Sequence, residues 1–169
     1  LEGKDPGLGI IPINRDNKLK WGCIDVDVYP VNHQDFIKKL QEKNIKAIVF
    51  RSKSGGAHIF VFTKTFVPAI VMRAKLKIIA SEIGYARAEI YPKQDTINVA
   101  RGDTGSFLNL PYHNCKDSVR YAFNSKGMKM SLEEFFDYHN EMAMTEEELT
   151  NFAIVNEKES LDYFKGMPP

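Results

Sequence analysis

The chain is short of the features that mark several functional classes. Its 169 residues include only two cysteines, Cys23 and Cys115, neither with a near partner at metal-ligand spacing. That argues against a disulfide scaffold or a zinc module and fits a reduced, cytoplasmic setting. No apolar run approaches the ~18 residues of a membrane-spanning helix, so no membrane partner is expected. The opening LEGKDPGLG lacks the apolar segment of a signal peptide. Neither charge sign dominates: 23 basic residues against 22 acidic ones leave a net +1, which neither favours nor excludes nucleic acid, because a local patch can hide in a balanced total. Internal repeats and low-complexity segments are absent. The chain starts at Leu1 without Met, and we expect it to be part of a longer protein.

What is present is ordinary globular material, 43% hydrophobic and 27% charged, in a length that suits one compact domain with an appended element. LGIIPI (8–13) and KLKWGCIDVDVY (18–29) read as strands around the turn DNK, and their closeness predicts a hairpin. Asn32 is placed to cap a helix running to about Lys43, with Asp35 in its first turn and Phe36, Ile37 and Leu40 as its apolar stripe. KAIVF (46–50) and HIFVF (58–62) form a second hairpin around RSKSGGA. Pro68 opens a helix with Val71, Leu76, Ile79 and Ile83 inward, and Gly84 stops it. RAEIYP (87–92) is short and extended, 93–105 is a long loop, and SFLNLPY (106–112) and VRYAF (119–123) are further strands. SLEE (131–134) and TEEE (145–148) are capping boxes for a helical tail, with Phe135, Phe136, Tyr138 and Leu149 as buried candidates. The fold class is therefore α+β, a mostly antiparallel sheet with helices on one face. Residues 1–125 form the core and 126–169 a helical appendage or the start of a further domain.

Three stretches carry candidate chemistry. In GCIDVDVYP (22–30), Asp25 and Asp27 interrupt an apolar strand. Residues two apart share a strand face, ~6–7 Å apart, so Cys23, Asp25 and Asp27 face one way and Ile24, Val26 and Val28 face the core. Two such carboxylates repel each other unless a divalent cation relieves them; the same pair also fits a solvated sheet face. In RSKSGGAHIF (51–60), Gly55 and Gly56 let backbone N–H groups approach an anion, Arg51 and Lys53 add positive charge, and His58 follows at the strand start. A triphosphate suits such a loop, as does a plain hairpin turn with a capping histidine. In AEIYPKQD (88–95), Glu89 and Tyr91 share a face and Lys93 follows; the acid completes a three-carboxylate site if this strand lies beside 22–28, and is otherwise an exposed residue of an edge strand.

In this order (D-x-D, then a histidine closing a Gly/Ser loop, then a hydrophobic residue followed by an acid) the chain resembles the archaeo-eukaryotic primase superfamily, in particular the primase–polymerases of phages, plasmids and related elements. GLGIIPI, EIYPKQ and GSFLNLPYHN add to the likeness, which covers about residues 7–115. The resemblance implies a core sheet like an RNA-recognition motif beside a small α/β unit, with the N-terminal part of the core missing from this chain. It implies template-directed nucleotidyl transfer with two Mg²⁺ or Mn²⁺ ions held by Asp25, Asp27 and Glu89. His58 contacts the phosphates of a nucleoside triphosphate, and Arg51, Lys53, Ser54, Gly55 and Gly56 line the pocket. The implied partners are nucleoside triphosphates, a single-stranded DNA template with its primer, and a fused or associated helicase. Two departures stand out: Gly56 occupies a position where many members have Ser, and Glu89 stands where many have Asp.

Lys93 and Asn109 join the candidate nucleotide contacts, with His113 near the latter. Lys20, Lys46, Lys53, Lys75, Lys77 and Lys93 are candidates for template phosphates. Tyr91, Phe107 and Tyr112 are candidates for base stacking, or are ordinary core aromatics. Two rival functions share these residues: a non-catalytic single-strand-binding module, which predicts exposed aromatics where the acids sit, and a metal-dependent nuclease.

Overall fold

The computed structural model describes residues 7–114 and 118–151. Four strands build the main sheet: β2 (Lys18–Val26), β3 (Ile48–Arg51), β4 (Ala57–Pro68) and β5 (Glu89–Tyr91). They lie in the order β3-β4-β2-β5, each pair antiparallel. Helix α1 (His33–Glu42) joins β2 to β3, and α2 (Ala69–Glu82) joins β4 to β5. This β-α-β-β-α-β path with a split βαβ unit is the arrangement of ferredoxin-like and RNA-recognition-motif sheets. The α+β expectation holds.

The helices form where local chemistry directs them. The Asn32 side chain accepts the Asp35 N–H at 3.2 Å, and Phe36, Ile37 and Leu40 are buried. Pro68 precedes α2, and Gly84 follows its cap with φ +86°, the left-handed conformation glycine adopts cheaply. Gly22 lets α2 lie directly on β2: a Cβ there would stand 2.7 Å from both Leu76 Cδ1 and Met72 Cγ. Both capping boxes form, Ser131 with Glu134 and Thr145 with Glu148, at the starts of α3 (Leu132–Met142) and α4 (Glu146–Asn151).

The sheet separates two apolar clusters. On one face Ile24, Val26, Val49, Ile59 and Val61 pack against α1 and α2, and Met144 and Leu149 from the tail join the same cluster. On the other face Cys23, Phe50, Phe60 and Tyr91 pack against Leu108, Tyr112 and Met130, with Phe135 of α3 against them. Residues 126–151 thus contribute to both clusters.

Several expectations are corrected. The first strand, β1 (Gly9–Ile10), pairs with β6 (Leu108–Asn109) in a separate two-stranded sheet, not in a hairpin with β2. Only those two residues of 106–112 are strand; from there the chain turns at Pro111 and Tyr112, whose φ is +58°. The 119–123 segment makes isolated bridges, Phe50 to Ala122 and Phe123 to Lys129, rather than a strand. Val28 is 61% exposed instead of buried, because β2 ends at Val26 and the chain leaves the sheet before Pro30. The loop 93–105 contains a short 3-10 turn, Val99–Arg101. Phe136 is exposed while Phe135 and Tyr138 are partly buried and Leu149 fully so. Cys115 and the tail beyond 151 lie outside the described residues.

Candidate active site

The register of three strands sets the candidate site. Asp25 on β2 stands opposite His58 on β4 on one side and opposite Glu89 on β5 on the other. Directly paired residues on antiparallel strands have Cα atoms ~4.5–5.5 Å apart and share a face, so His58, Asp25 and Glu89 form one row across the sheet. His58 Nε2 lies 3.3 Å from Asp25 Oδ1, with the two side chains 12% and 22% exposed. The next row on this face, Phe60, Cys23 and Tyr91, is buried. The open groove expected along the acid face therefore does not run past the end of the sheet where this row lies. Beyond it the second cluster covers the strands.

Asp27 sits just past the end of β2 and is exposed, so strand alternation does not fix its direction. The Tyr29 hydroxyl donates to Asp27 Oδ1 at 2.7 Å. That bond, first, and then desolvation push the Tyr29 phenol above its ordinary pKa. Glu89 is engaged by Lys93 Nζ at 3.6 Å and by the Tyr91 hydroxyl at 3.4 Å. Burial, with the Glu89 charge second, raises the Tyr91 phenol. Burial likewise drives the Cys23 thiol well above its usual range, with Asp25 adding to the effect, so it is an inert neighbour of the acids rather than a nucleophile.

The carboxylates thus each rest on a local partner: Asp25 on His58, Asp27 on Tyr29, Glu89 on Lys93 and Tyr91. Among the described residues no three His, Cys, Asp or Glu side chains are gathered as a metal-holding group. The donor chemistry is nevertheless that of a hard divalent cation, three carboxylates brought to one sheet end by adjacent backbone positions. Glu89 and Lys93 are half-exposed, so their pairing is weak and exchangeable.

The glycine-bearing loop closes against this row. The Ser52 N–H donates to the Gly56 carbonyl and the Gly55 N–H to the Ser52 carbonyl, both at 3.0 Å. The Gly55 N–H is therefore spent inside the turn, which corrects its expected role as an anion donor; Gly55 instead supplies φ +86°. Gly56 is required by crowding, since a Cβ would lie 2.8 Å from the Val26 carbonyl oxygen and 3.0 Å from Ser52 Oγ. Lys53 and Ser54 are exposed at the tip. Arg51 is tied to the Ser52 and Val119 carbonyls through Nη1 at 3.2 Å each.

Of the remaining candidates, Asn109 lies on β6 paired with Gly9, outside the three-strand row. Lys46 pairs with Glu148 at 3.2 Å, and Lys20 lies over the Phe66 ring. Tyr91 and Tyr112 are core residues, 9% and 6% exposed, which removes them as stacking platforms; Phe107 is 64% exposed. Two neighbours of the site went unread in the sequence, Tyr29 and His33. His33 Nε2 lies 2.9 Å from the Gly56 carbonyl oxygen and its ring stacks on Phe123. Only the recurrence of polar residues in YPVNH, directly after the acidic pair, hinted at either.

A family model described as "TOTE conflict system, Archaeo-Eukaryotic Primase domain" matches residues 1–151. Among curated proteins none matches the chain significantly. No helix among the described residues is long and apolar enough to cross a membrane. With its sheet order and the Asp25–His58–Glu89 row in place, and with the family match spanning most of its length, the chain belongs to the archaeo-eukaryotic primase domain family of TOTE conflict systems, a family of primase-type nucleotidyltransferases.

Proposed function

We propose that this domain extends or initiates a nucleic-acid strand on a single-stranded DNA template, adding nucleotides from nucleoside triphosphates with two Mg²⁺ or Mn²⁺ ions. The observation that supports this most is the strand register that sets Asp25 between His58 and Glu89 in a chain of the primase family. Asp25, Asp27 and Glu89 would hold the ions, Glu89 on releasing Lys93. When bound, the ions activate the attacking 3′-hydroxyl and neutralise the charge of the triphosphate.

The chain's own groups position the nucleotide. His58, steadied by Asp25 at one ring nitrogen, bonds a phosphate oxygen through the other. Lys53 and Ser54 at the loop tip meet the outer phosphates, with Arg51 behind them, and Lys93 moves from Glu89 to the same charge. Gly55 and Gly56 keep the turn narrow enough for that approach. The 3′-hydroxyl gives up its proton to solvent water, a bond forms between the 3′-oxygen and the α-phosphorus, the bond from that phosphorus to the oxygen bridging to the β-phosphate breaks, and pyrophosphate leaves with the displaced charge. Such sites act mainly by positioning and electrostatic stabilisation.

Incubation with labelled primer–template, nucleoside triphosphates and Mn²⁺ tests the proposal. Extension is expected, and it falls by about a hundredfold or more in Asp25→Asn and in Asp27→Asn. Cleavage of the strand would point to a nuclease. Binding without either reaction would point to a non-catalytic module.

A further inference from the structure

We propose that the cleft around Trp21 and Phe62 is a binding site for single-stranded nucleic acid, with an unpaired base on the aromatic pair and the backbone phosphates on Lys20 and Lys64. The binding stands on its own; its role, holding the template or primer, rests on the polymerase reading.

Trp21 and Phe62 are cross-strand partners on the two central strands, on the same face as Asp25, and both are only partly buried. Phe62 is held by two neighbours: its ring lies nearly parallel to Phe60, centroids 5.6 Å apart at 9°, and makes a T-shaped contact with His139 at 4.7 Å. A rigid aromatic face of this kind binds bases without reading their identity. The register beside it breaks. Trp21 pairs with Phe62 but Leu19 pairs with Val67, so residues 63–66 stand opposite Lys20 alone. That bulge carries Lys64 and Phe66 outward beside Lys20, whose ammonium lies 4.8 Å from the Phe66 ring centroid; bulges commonly re-aim side chains in this way.

The resulting cleft of about 450 Å³ is lined by these aromatics and lysines together with His139 and Asn140, and no aspartate or glutamate lines it. The lysines without acids select a polyanion. The partly open rings of Trp21 and Phe62 that line the cleft select unpaired bases, since a duplex hides its own. An apolar recess of about 340 Å³ adjoins it and shares Trp21 and Phe62. Trp21 lies four residues before Asp25 on one strand, about 13 Å along it. Between them this face of the sheet is buried under the second cluster, so the cleft stands apart from the acids.

Trp21 is the chain's single tryptophan and reports on its own site. With EDTA present, a short oligothymidylate is expected to quench its emission saturably, and an abasic oligomer of the same length is not. By anisotropy of a labelled oligonucleotide, Phe62→Ala should weaken binding about 5- to 100-fold. The paired surface change Lys20→Glu and Lys64→Glu, which leaves the core untouched, should weaken it at least about tenfold and lower the salt slope by about two. Unchanged tryptophan emission when the labelled oligonucleotide is saturated would overturn the proposal and leave the cleft to a protein partner, as would undiminished affinity in the lysine variant. Quenching without primer extension in the separate assay would sink the polymerase reading alone; extension without quenching would sink this site alone.

Discussion

On the helix-covered face of the sheet, β2 and β4 present Ile24, Val26, Ile59 and Val61, none more than 1% exposed, whereas on the opposite face the same two strands present Trp21, Asp25, His58 and Phe62, each left partly open. One face spends its residues on burial. The other is divided along its length, with a polar row at one end, a sealed aromatic cluster in the middle and a partly open aromatic pair at the far end. A strand interior that tolerates Asp and His beside fully buried neighbours does so because the residues flanking them on the other face carry the stability.

Substitutions sharpen that contrast. The largest stability loss is expected on the helix-covered face: Ile59→Ala removes a fully buried side chain from the main cluster and should cost about 2–5 kcal/mol in denaturant unfolding. Gly22→Ala, which drives a methyl group against Leu76 and Met72, should cost about 1–3 kcal/mol, and a small-to-small change that costs nothing would refute the close seating of α2. On the opposite face Tyr112→Phe is expected to cost about 1–2 kcal/mol, because its hydroxyl donates to the Met130 carbonyl at 2.9 Å and accepts the Ala122 N–H at 3.0 Å. The smallest effect belongs to the polar row: Asp25→Asn should shift stability by less than about 1 kcal/mol while primer extension collapses. A large stability loss there would mean that the row is part of the framework and would erase the contrast.

Much of this was legible in the chain. Asn32, Pro68 and Gly84 mark the ends of α1 and α2 because capping is local chemistry. The runs of β2, β3 and β4 read as strands because both of their faces are apolar over most of their length. The hairpin of β3 and β4 was legible too, but pairing between distant segments was not. LGIIPI finds its partner in Leu108–Asn109, far along the chain, where no turn signal links them. Val28 continued the alternation on paper, but nothing in the pattern says where a strand leaves its sheet. Asp25, His58 and Glu89 stood out as residue types in order, and the register that aligns them depended on three strands meeting. Tyr29 and His33 escaped notice because their partners become neighbours only after the turn at Pro30 and the loop 52–56 fold back. The resting partners of the carboxylates were equally hidden, since only the folded chain brings Lys93 to Glu89 and Tyr29 to Asp27.

The central claim is that Asp25 on β2, Asp27 just past its end and Glu89 on β5 share cations beside a phosphate-binding histidine, and a crystal grown with a nucleoside triphosphate and Mn²⁺, measured by anomalous scattering, tests it most directly. The account predicts manganese between Asp25, Asp27 and Glu89, Lys93 released from Glu89, and the triphosphate against His58 and the 52–56 turn. Nucleotide and manganese bound together elsewhere, with each carboxylate still on His58, Tyr29 or Lys93, would contradict it.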